Sequence, residues 1–431
     1  MICSKSEKIA LKLLERIKSG ELCGQLPSDK KVAEEFNVAL MTATRALTLL
    51  QERGVVVRIP RRGTFTLADP GKVIRFQGNA RFFEIFSGYL KKHRPEITLK
   101  PAGHNEEWDL CAVTTGNIFL SSGNDSGMMF PRQRVERLRN SGRYWDNVFD
   151  ICIKNGSLYG IPYLFSPVLL HCSRSIMRKI EPDFDPVGLT MDHFIHLMEK
   201  AAEKGYGGID MFCFTRSFFL NMIYCLAGHK PDELSIMKAA QLLIKVLSFR
   251  GRPFNEGNTL FTLAPRQKKE KQQFSNYDIV PMPELNGVRS CPIASETLIA
   301  SCRFEDSGLL HDLCEETLSP EFQKLVTANR FGIAADKNIA MQSMKTTSER
   351  DDFFFTETAN GTVVYNDYPA ETLKDIALST EELLNGELSP LEFEESLLES
   401  LARQKRAEKR SKRLLELNKI NEYAATGGAA G

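Results

Sequence analysis

Apolar residues recur every three or four positions through the N-terminal part of the chain. Ile9, Leu13 and Ile17 fall four apart with Leu14 beside them, which predicts an amphipathic helix closed by Gly20. Pro27 cannot continue a preceding helix and the Ser28 hydroxyl can cap free backbone N–H groups. A second helix is therefore expected to enter there and to bury Val32, Ala33 and Phe36. Ala43, Leu47 and Leu50 mark a third helix, whose outer face is expected to carry Thr42, Thr44 and Arg45. After Gly54 the pattern turns β-branched, with Val55, Val56, Val57 and Ile59. A turn at Pro60 to Gly63 then sends Thr64 to Leu67 back as a second strand, with Arg61 and Arg62 at the tip. Three short helices followed by a basic hairpin are the layout of an α+β winged helix-turn-helix, and small polar and basic groups on the third helix can reach base edges or phosphates.

The residues that carry this pattern also resemble a family. Leu26-Pro27-Ser28, Val32-Ala33, Val38, Met41-Thr42, Ala46-Leu47, Gly54 and Arg62-Gly63-Thr64-Phe65 are similar, in order and interval, to the GntR family of bacterial transcription regulators over residues 6–67. The resemblance implies a DNA-binding domain over residues 1–70 with a duplex DNA operator as its partner. It implies DNA contacts at Ser28, Lys30, Thr42, Thr44, Arg45, Arg61, Arg62 and Gly63. The family's usual Gly-Val-Ser-Arg turn reads Asn37-Val38-Ala39-Leu40 here, and Thr44 stands where the family has an arginine deeper in the recognition helix. Lys30 occupies a position where the family commonly places a DNA-contacting arginine. A winged helix kept as a protein-interaction or dimerisation module is the other reading of the same residues.

Charge bears on this choice locally. The whole chain is balanced at +1, but residues 1–70 hold twelve Lys and Arg against eight Asp and Glu. Phosphate neutralisation dominates sequence-independent DNA affinity, so the local surplus is what counts. A surplus this small leaves a monomer weakly bound, and a homodimer doubling the contacts is expected.

Beyond the linker-like Ala68-Asp69-Pro70-Gly71 the pattern changes to short apolar runs alternating with longer amphipathic ones, an α/β signature. A series of short motifs follows in order: Trp108-Asp109-Leu110, Leu158-Tyr159-Gly160-Ile161-Pro162-Tyr163, Ile279-Val280-Pro281-Met282-Pro283, Ser319-Pro320-Glu321-Phe322-Gln323 and Phe331-Gly332-Ile333-Ala334. This order resembles the extracellular solute-binding proteins of sugar ABC transporters, with Leu383 to Pro390 similar to part of their C-terminal helical extension. The resemblance implies a two-lobed α/β periplasmic-binding-protein-like (class II) domain over residues 72–395. It also implies a small-molecule effector, a sugar by analogy, held in the cleft. Asp109, Trp145, Tyr163 and Arg216 lie near the cleft-lining segments and are the candidate ligand residues; aromatic faces stack on sugar C–H surfaces and planar polar groups bond the hydroxyls. The charged run Arg266 to Lys271 replaces a Gly-rich, Trp-containing stretch.

The chain lacks a Gly-x-Ser-x-Gly elbow and a P-loop, and Gly205-Tyr206-Gly207-Gly208 lacks the context of a dinucleotide fingerprint, so an enzyme is not expected. His193 and His196 share a helix face without a third ligand nearby, which reads as solvated or core histidines and not as a metal site; no cofactor is expected. Ten cysteines, among them Cys111, Cys152, Cys213 and Cys302, lack CxxC pairs and read as reduced, mostly buried thiols. No apolar run reaches membrane-spanning length and the N-terminus lacks an apolar signal core, so a cytoplasmic protein without membrane contact is expected.

Residues 396–431 read as a basic helical tail ending in a disordered Ala424 to Gly431, with eight Lys and Arg against two Glu between Leu401 and Ile420. The patterns together point to a DNA-binding transcription regulator whose operator affinity a small molecule modulates. Two readings compete with it: a binding or scaffold protein whose modules have lost their ligands, and the same regulator with a LacI-type sensor.

Overall fold

In the computed structural model the chain is described over residues 4–18, 21–22, 24–60, 62–66, 73–103, 106–114, 127–145, 147–154, 157–211, 214–266, 276–304, 306–328, 332–344 and 352–427. The linker-like Ala68 to Gly71, Arg61, Cys213, Phe331 and most of the charged run after Arg266 lie outside these residues. The chain divides into two compact units, one of residues 1–112 with 303–310, the other of 113–302 with 311–431.

The first unit opens with three helices, α1 (Lys5–Lys18), α2 (Asp29–Glu35) and α3 (Leu40–Glu52), and a hairpin of β1 (Val56–Ile59) and β2 (Gly63–Thr66). Ile9, Leu13 and Ile17 of α1 meet Val32 and Ala33 of α2 and Ala43, Ala46, Leu47 and Leu50 of α3 in one core, with Leu14 and Phe36 packed at its margin. The four-residue spacing expected for α1 is thus the spacing of its buried stripe. Ser28 is the N-cap of α2 and accepts from the Lys31 N–H at 3.3 Å. Asn37, in the turn between α2 and α3, has φ +48°, a left-handed conformation that asparagine tolerates better than most residues. The hairpin is antiparallel with Val57 opposite Phe65 and Ile59 opposite Gly63.

A βαβ unit follows. β3 (Val73–Gln77) pairs in parallel with β4 (Thr98–Pro101) and with β5 (Leu110–Thr114), and the crossover is α4 (Ala80–His93). Asn79 caps α4, accepting from Arg81 N–H at 2.9 Å, and Phe82, Phe86, Tyr89 and Leu90 form its buried face.

In the second unit a two-residue ladder, β6 (Ile153–Lys154) with β7 (Ser157–Leu158), precedes β8 (Ile161–Ser173), a strand whose thirteen residues are all buried. β8 changes partners halfway. β9 (Gly207–Asp210) pairs with β10 (Thr259–Pro265), which with β11 (Tyr277–Val280) flanks the second half of β8 over Val168 to Ser173. β12 (Cys291–Ala300) and β13 (Ile333–Ala334) flank its first half over Ile161 to Pro167. β14 (Gly361–Thr362) pairs with the start of β12. Such burial on both faces explains why Ile161 to Ser173 reads as a continuous apolar run without alternation.

Two of the separated motifs meet on this strand. Gln323, fully buried in the helix Pro320–Ala328, donates from Nε2 to the Tyr163 carbonyl at 2.9 Å and to the Thr317 carbonyl at 2.7 Å.

Six described cysteines, Cys111, Cys152, Cys172, Cys225, Cys291 and Cys314, are buried free thiols, whereas Cys302 is exposed. Burial pushes the Cys111 and Cys152 thiols up to about 12. His193 and His196 face carboxylates: His193 Nε2 lies 2.8 Å from Glu181 and His196 Nδ1 3.5 Å from Glu199. The terminal helix Pro390–Gly427 is continuous, burying Phe393, Leu397 and Ser400 at its start, and it continues past Ala424. Residues 428–431 lie outside the described set.

Gly160 fixes the approach of the chain to β12. A Cβ there would sit 2.6 Å from Thr297 Cγ2, 2.7 Å from Ile299 Cγ2 and 3.0 Å from the Leu298 carbonyl, a contact with backbone that cannot swing aside. Gly160→Ala is expected to destabilise the protein by about 1–3 kcal/mol through overpacking. A thermal midpoint equal to wild type would show that the strand pair has room to spread.

Candidate functional site

The N-terminal site is built on α3 and the hairpin. Thr44 does not point outward as its place on the helix suggested. Its hydroxyl donates to Asp29 Oδ2 at 2.7 Å, and the same carboxylate takes Arg58 Nη2 at 2.7 Å on Oδ1 and 2.5 Å on Oδ2. Asp29 in α2, Thr44 in α3 and Arg58 in β1 are thereby locked together. Partial burial pushes the Asp29 carboxyl up, but the bonds from Thr44 and Arg58 outweigh it and hold it below the usual aspartate range.

Lys30 extends into solvent with Glu34 at 4.0 Å, and exposed Arg45 reaches Glu52 at 3.2 Å. Thr42 is half-buried on the first turns of α3. Ahead of it Leu40 and Met41 are 54% and 84% exposed. At the hairpin, Gln25 Nε2 donates to the Arg62 carbonyl at 2.8 Å. Gly63 has φ +120°, and a Cβ on it would meet Gln25 Nε2 at 2.7 Å, so glycine is required there. The Arg62 guanidinium donates to the His93 carbonyl at the end of α4. Arg61 lies outside the described residues.

Of the four candidate ligand residues, Asp109 lies in the first unit and Trp145, Tyr163 and Arg216 in the second. Asp109 is buried and engaged by Arg75, whose backbone N–H and Nη2 donate to it at 2.8 Å each. It ties β3 to the start of β5. Trp145 donates from Nε1 to the Ala334 carbonyl at 3.2 Å, its ring edge-on to Phe165 at 6.2 Å. Tyr163, buried on β8, donates its hydroxyl to Glu296 of β12. Arg216 starts the helix Thr215–Ala227, its guanidinium 5.8 Å from the centre of the Tyr365 ring, and Ser217 Oγ lies 2.8 Å from the Tyr365 hydroxyl. Among the described residues, Arg216 Nε is buried without a hydrogen-bond partner.

A pocket of about 460 Å³ in the second unit is lined by other residues, among them Asn147, Tyr224, His229, Arg289, Asn360 and Asp367. His229 Nδ1 sits 2.9 Å from Asp367 Oδ1, and the Tyr224 ring packs edge-on against His229. Burial raises the Asp367 carboxyl above its usual range, with His229 pulling the other way. Planar amides, a carboxylate, a guanidinium and an aromatic edge can bond and cover a hydroxylated molecule. These residues come from well-separated segments, and no local motif announces them. Among the described residues no group of three or more His, Cys, Asp or Glu is placed to hold a metal, and no helix is long and apolar enough to cross a membrane.

Residues 5–66 match the family model described as bacterial regulatory proteins, gntR family. The fold of most of the chain is similar to solved sugar-binding receptors. Maltose-bound MalE3 of T. maritima is 13% identical with a TM-score of 0.58, covering 77% of this chain and 99% of its own. A substrate-binding protein of Listeria monocytogenes in complex with cycloalternan is 12% identical with a TM-score of 0.61, covering 78% and 99%. A solute-binding protein of Agrobacterium vitis with bound D-mannitol gives the same four values. No curated protein sequence matches the chain. A gntR-type winged helix therefore precedes a domain with the solute-binding-protein fold.

Replacing Asp29 by asparagine leaves the half-buried Arg58 without its counter-charge and is expected to cost about 1–3 kcal/mol locally. Hydrogen exchange of α3 amides in the full chain at neutral pH should then be about tenfold faster. Because the folded-state value is lowered, the stabilisation is present above the unfolded aspartate value of about 3.9. It is lost as pH falls through the folded value. Equal protection in the two proteins at neutral pH would mean that the triad does not hold α3.

Proposed function

We propose that the chain is a transcription regulator that binds duplex DNA through its winged helix and whose operator affinity a carbohydrate or similarly polar small molecule modulates. The observation that carries this reading is the bond from Arg62, at the tip of a gntR-type hairpin, to the His93 carbonyl at the end of α4 in the solute-binding-type fold. A cation expected to face phosphate is held by the sensing domain, so the state of one bears on the readiness of the other. On this reading Ser28, Lys30, Thr42, Thr44, Arg45, Arg61, Arg62 and Gly63 serve DNA binding, with Thr44 acting through Asp29. Asp109, Trp145, Tyr163 and Arg216 serve the ligand. Arg216 is the best supported of these, since a buried N–H without a partner is satisfied by an incoming acceptor. Asp109, filled by Arg75, would act by positioning. The neighbours' maltose, cycloalternan and D-mannitol support a polyhydroxylated effector. No chemical step is assigned, and a dimer supplies the second set of phosphate contacts that the small charge surplus calls for.

Duplexes enriched from a random library by the full-length protein give the probe for the DNA arm. Arg61→Ala combined with Arg62→Ala should weaken binding across sequences and reduce the salt slope by about one unit per lost phosphate contact, up to about four with two chains per duplex. An unchanged slope would remove the hairpin from the interface.

For the sensing arm, a panel of mono- and oligosaccharides and polyols should contain at least one compound that raises the thermal midpoint and shifts the DNA titration. A ligand at a hundredfold excess over its dissociation constant stabilises by about 2.7 kcal/mol. No shift across the panel at millimolar concentration would favour a scaffold that has lost its ligand.

A further inference from the structure

The recognition helix begins with two large apolar side chains in solvent. Leu40 is 54% exposed and Met41 84% exposed, adjacent on the first turn of α3. Leu40 ends the stretch Asn37-Val38-Ala39-Leu40, where the gntR resemblance would put an arginine. Of the polar groups on this face, Thr44 is bonded to Asp29 and Arg45 to Glu52. Lys30 on α2 extends into solvent, with Glu34 at 4.0 Å. This end of a recognition helix is the one that enters the major groove. Of the groups the groove displays, the thymine C5-methyl is the one that apolar side chains contact, and each base pair is otherwise marked by donors and acceptors.

Resting on the DNA-binding reading above, we propose that Leu40 and Met41 are specificity-determining residues that read thymine C5-methyl groups of the operator. Met41, unbranched and polarisable, adapts its thioether to the methyl surface, and Leu40 fixes the edge of the contact. A protein partner would also be drawn to an apolar pair, but the position on the first turn of α3 in a gntR-type winged helix favours the DNA groove.

The test removes the methyl and nothing else. In the duplex enriched by the full-length protein, each thymine in turn is replaced by deoxyuridine, and wild type, Leu40→Ala and Met41→Ala are titrated. Burying one methyl-sized group corresponds to roughly a fourfold change in affinity. Wild type should lose about that much at one or two thymines per half-site. Met41→Ala should bind the thymine duplex more weakly and be indifferent to the replacement that hurts wild type. Both side chains are exposed, so the variants should melt as wild type does, and the wild-type titrations stand without them. Binding unchanged at every replaced thymine overturns this inference while leaving the DNA-binding reading intact. Failure to enrich any duplex overturns both. Loss of self-association in Met41→Ala with unchanged DNA titrations would assign the pair to an interface between copies of the chain and overturn the inference as well.

Discussion

A strand of thirteen residues without an exposed position must pair its backbone along both edges, because a buried N–H or carbonyl left without a partner is costly. β8 meets this demand by taking one pair of neighbours for its first half and another pair for its second. Much of the second unit follows from that exchange. Pro162 and Pro167 sit on the half flanked by β12 and β13; the register of β12 slips between Glu296 and Thr297, beside Pro162, whereas Pro167 lies opposite Ile293. Gln323 then reaches the Tyr163 carbonyl and Asp336 N–H from a helix far along the sequence, and Arg143 closes on Asp336. A polar network that is satisfied in this way fixes the first half of β8 in one arrangement.

The N-terminal module is held by a smaller device of the same kind. The Asp29 carboxylate receives one bond from α3 and two from β1, so the recognition helix and the hairpin are set against α2 by one buried-side charge. An arginine on the hairpin that serves this bond cannot also serve DNA, which leaves Arg62 as the described hairpin cation outside the core. Its partner, the His93 carbonyl, belongs to a helix C-terminus, where the aligned peptide dipoles favour a cation. Phosphate oxygens offer the same cation a full charge. On the proposed reading the two partners compete for one side chain.

The periodicity of α1 to α3, the Ser28 cap and the hairpin were legible because each rests on residues close in sequence. What the sequence could not show is the set of pairings between distant residues. Thr44 looks like an outward polar residue on a helical wheel, and only Asp29 and Arg58, brought together by the fold, turn it inward. Asp109 has the chemistry of a ligand group but is taken by Arg75 on the neighbouring strand. The pocket around His229 and Asp367 joins segments more than a hundred residues apart in order along the chain, with no spacing rule to find it. β8 itself was visible only as an apolar run, since burial on both faces removes the alternation that would identify a strand.

Three arginines of the winged helix are engaged within it. Arg16 faces Glu21 and Glu35, Arg45 faces Glu52, and Arg58 faces Asp29. The exposed Arg45–Glu52 pair contributes little stability, yet each of these pairs lowers the field available to attract phosphate. On the proposed reading, a head with weak sequence-independent attraction depends for its affinity on specific groove contacts and on a second head held at the right spacing. Both are geometric quantities. A ligand that changes geometry by a typical coupling of about 1–3 kcal/mol then moves occupancy by roughly five- to 150-fold. The same coupling would matter less on a strongly cationic head, because a large nonspecific term would hold the protein on DNA whatever the sensor reported. On the proposed reading, the modest surplus in residues 1–70 is what lets a sensor of ordinary strength govern binding.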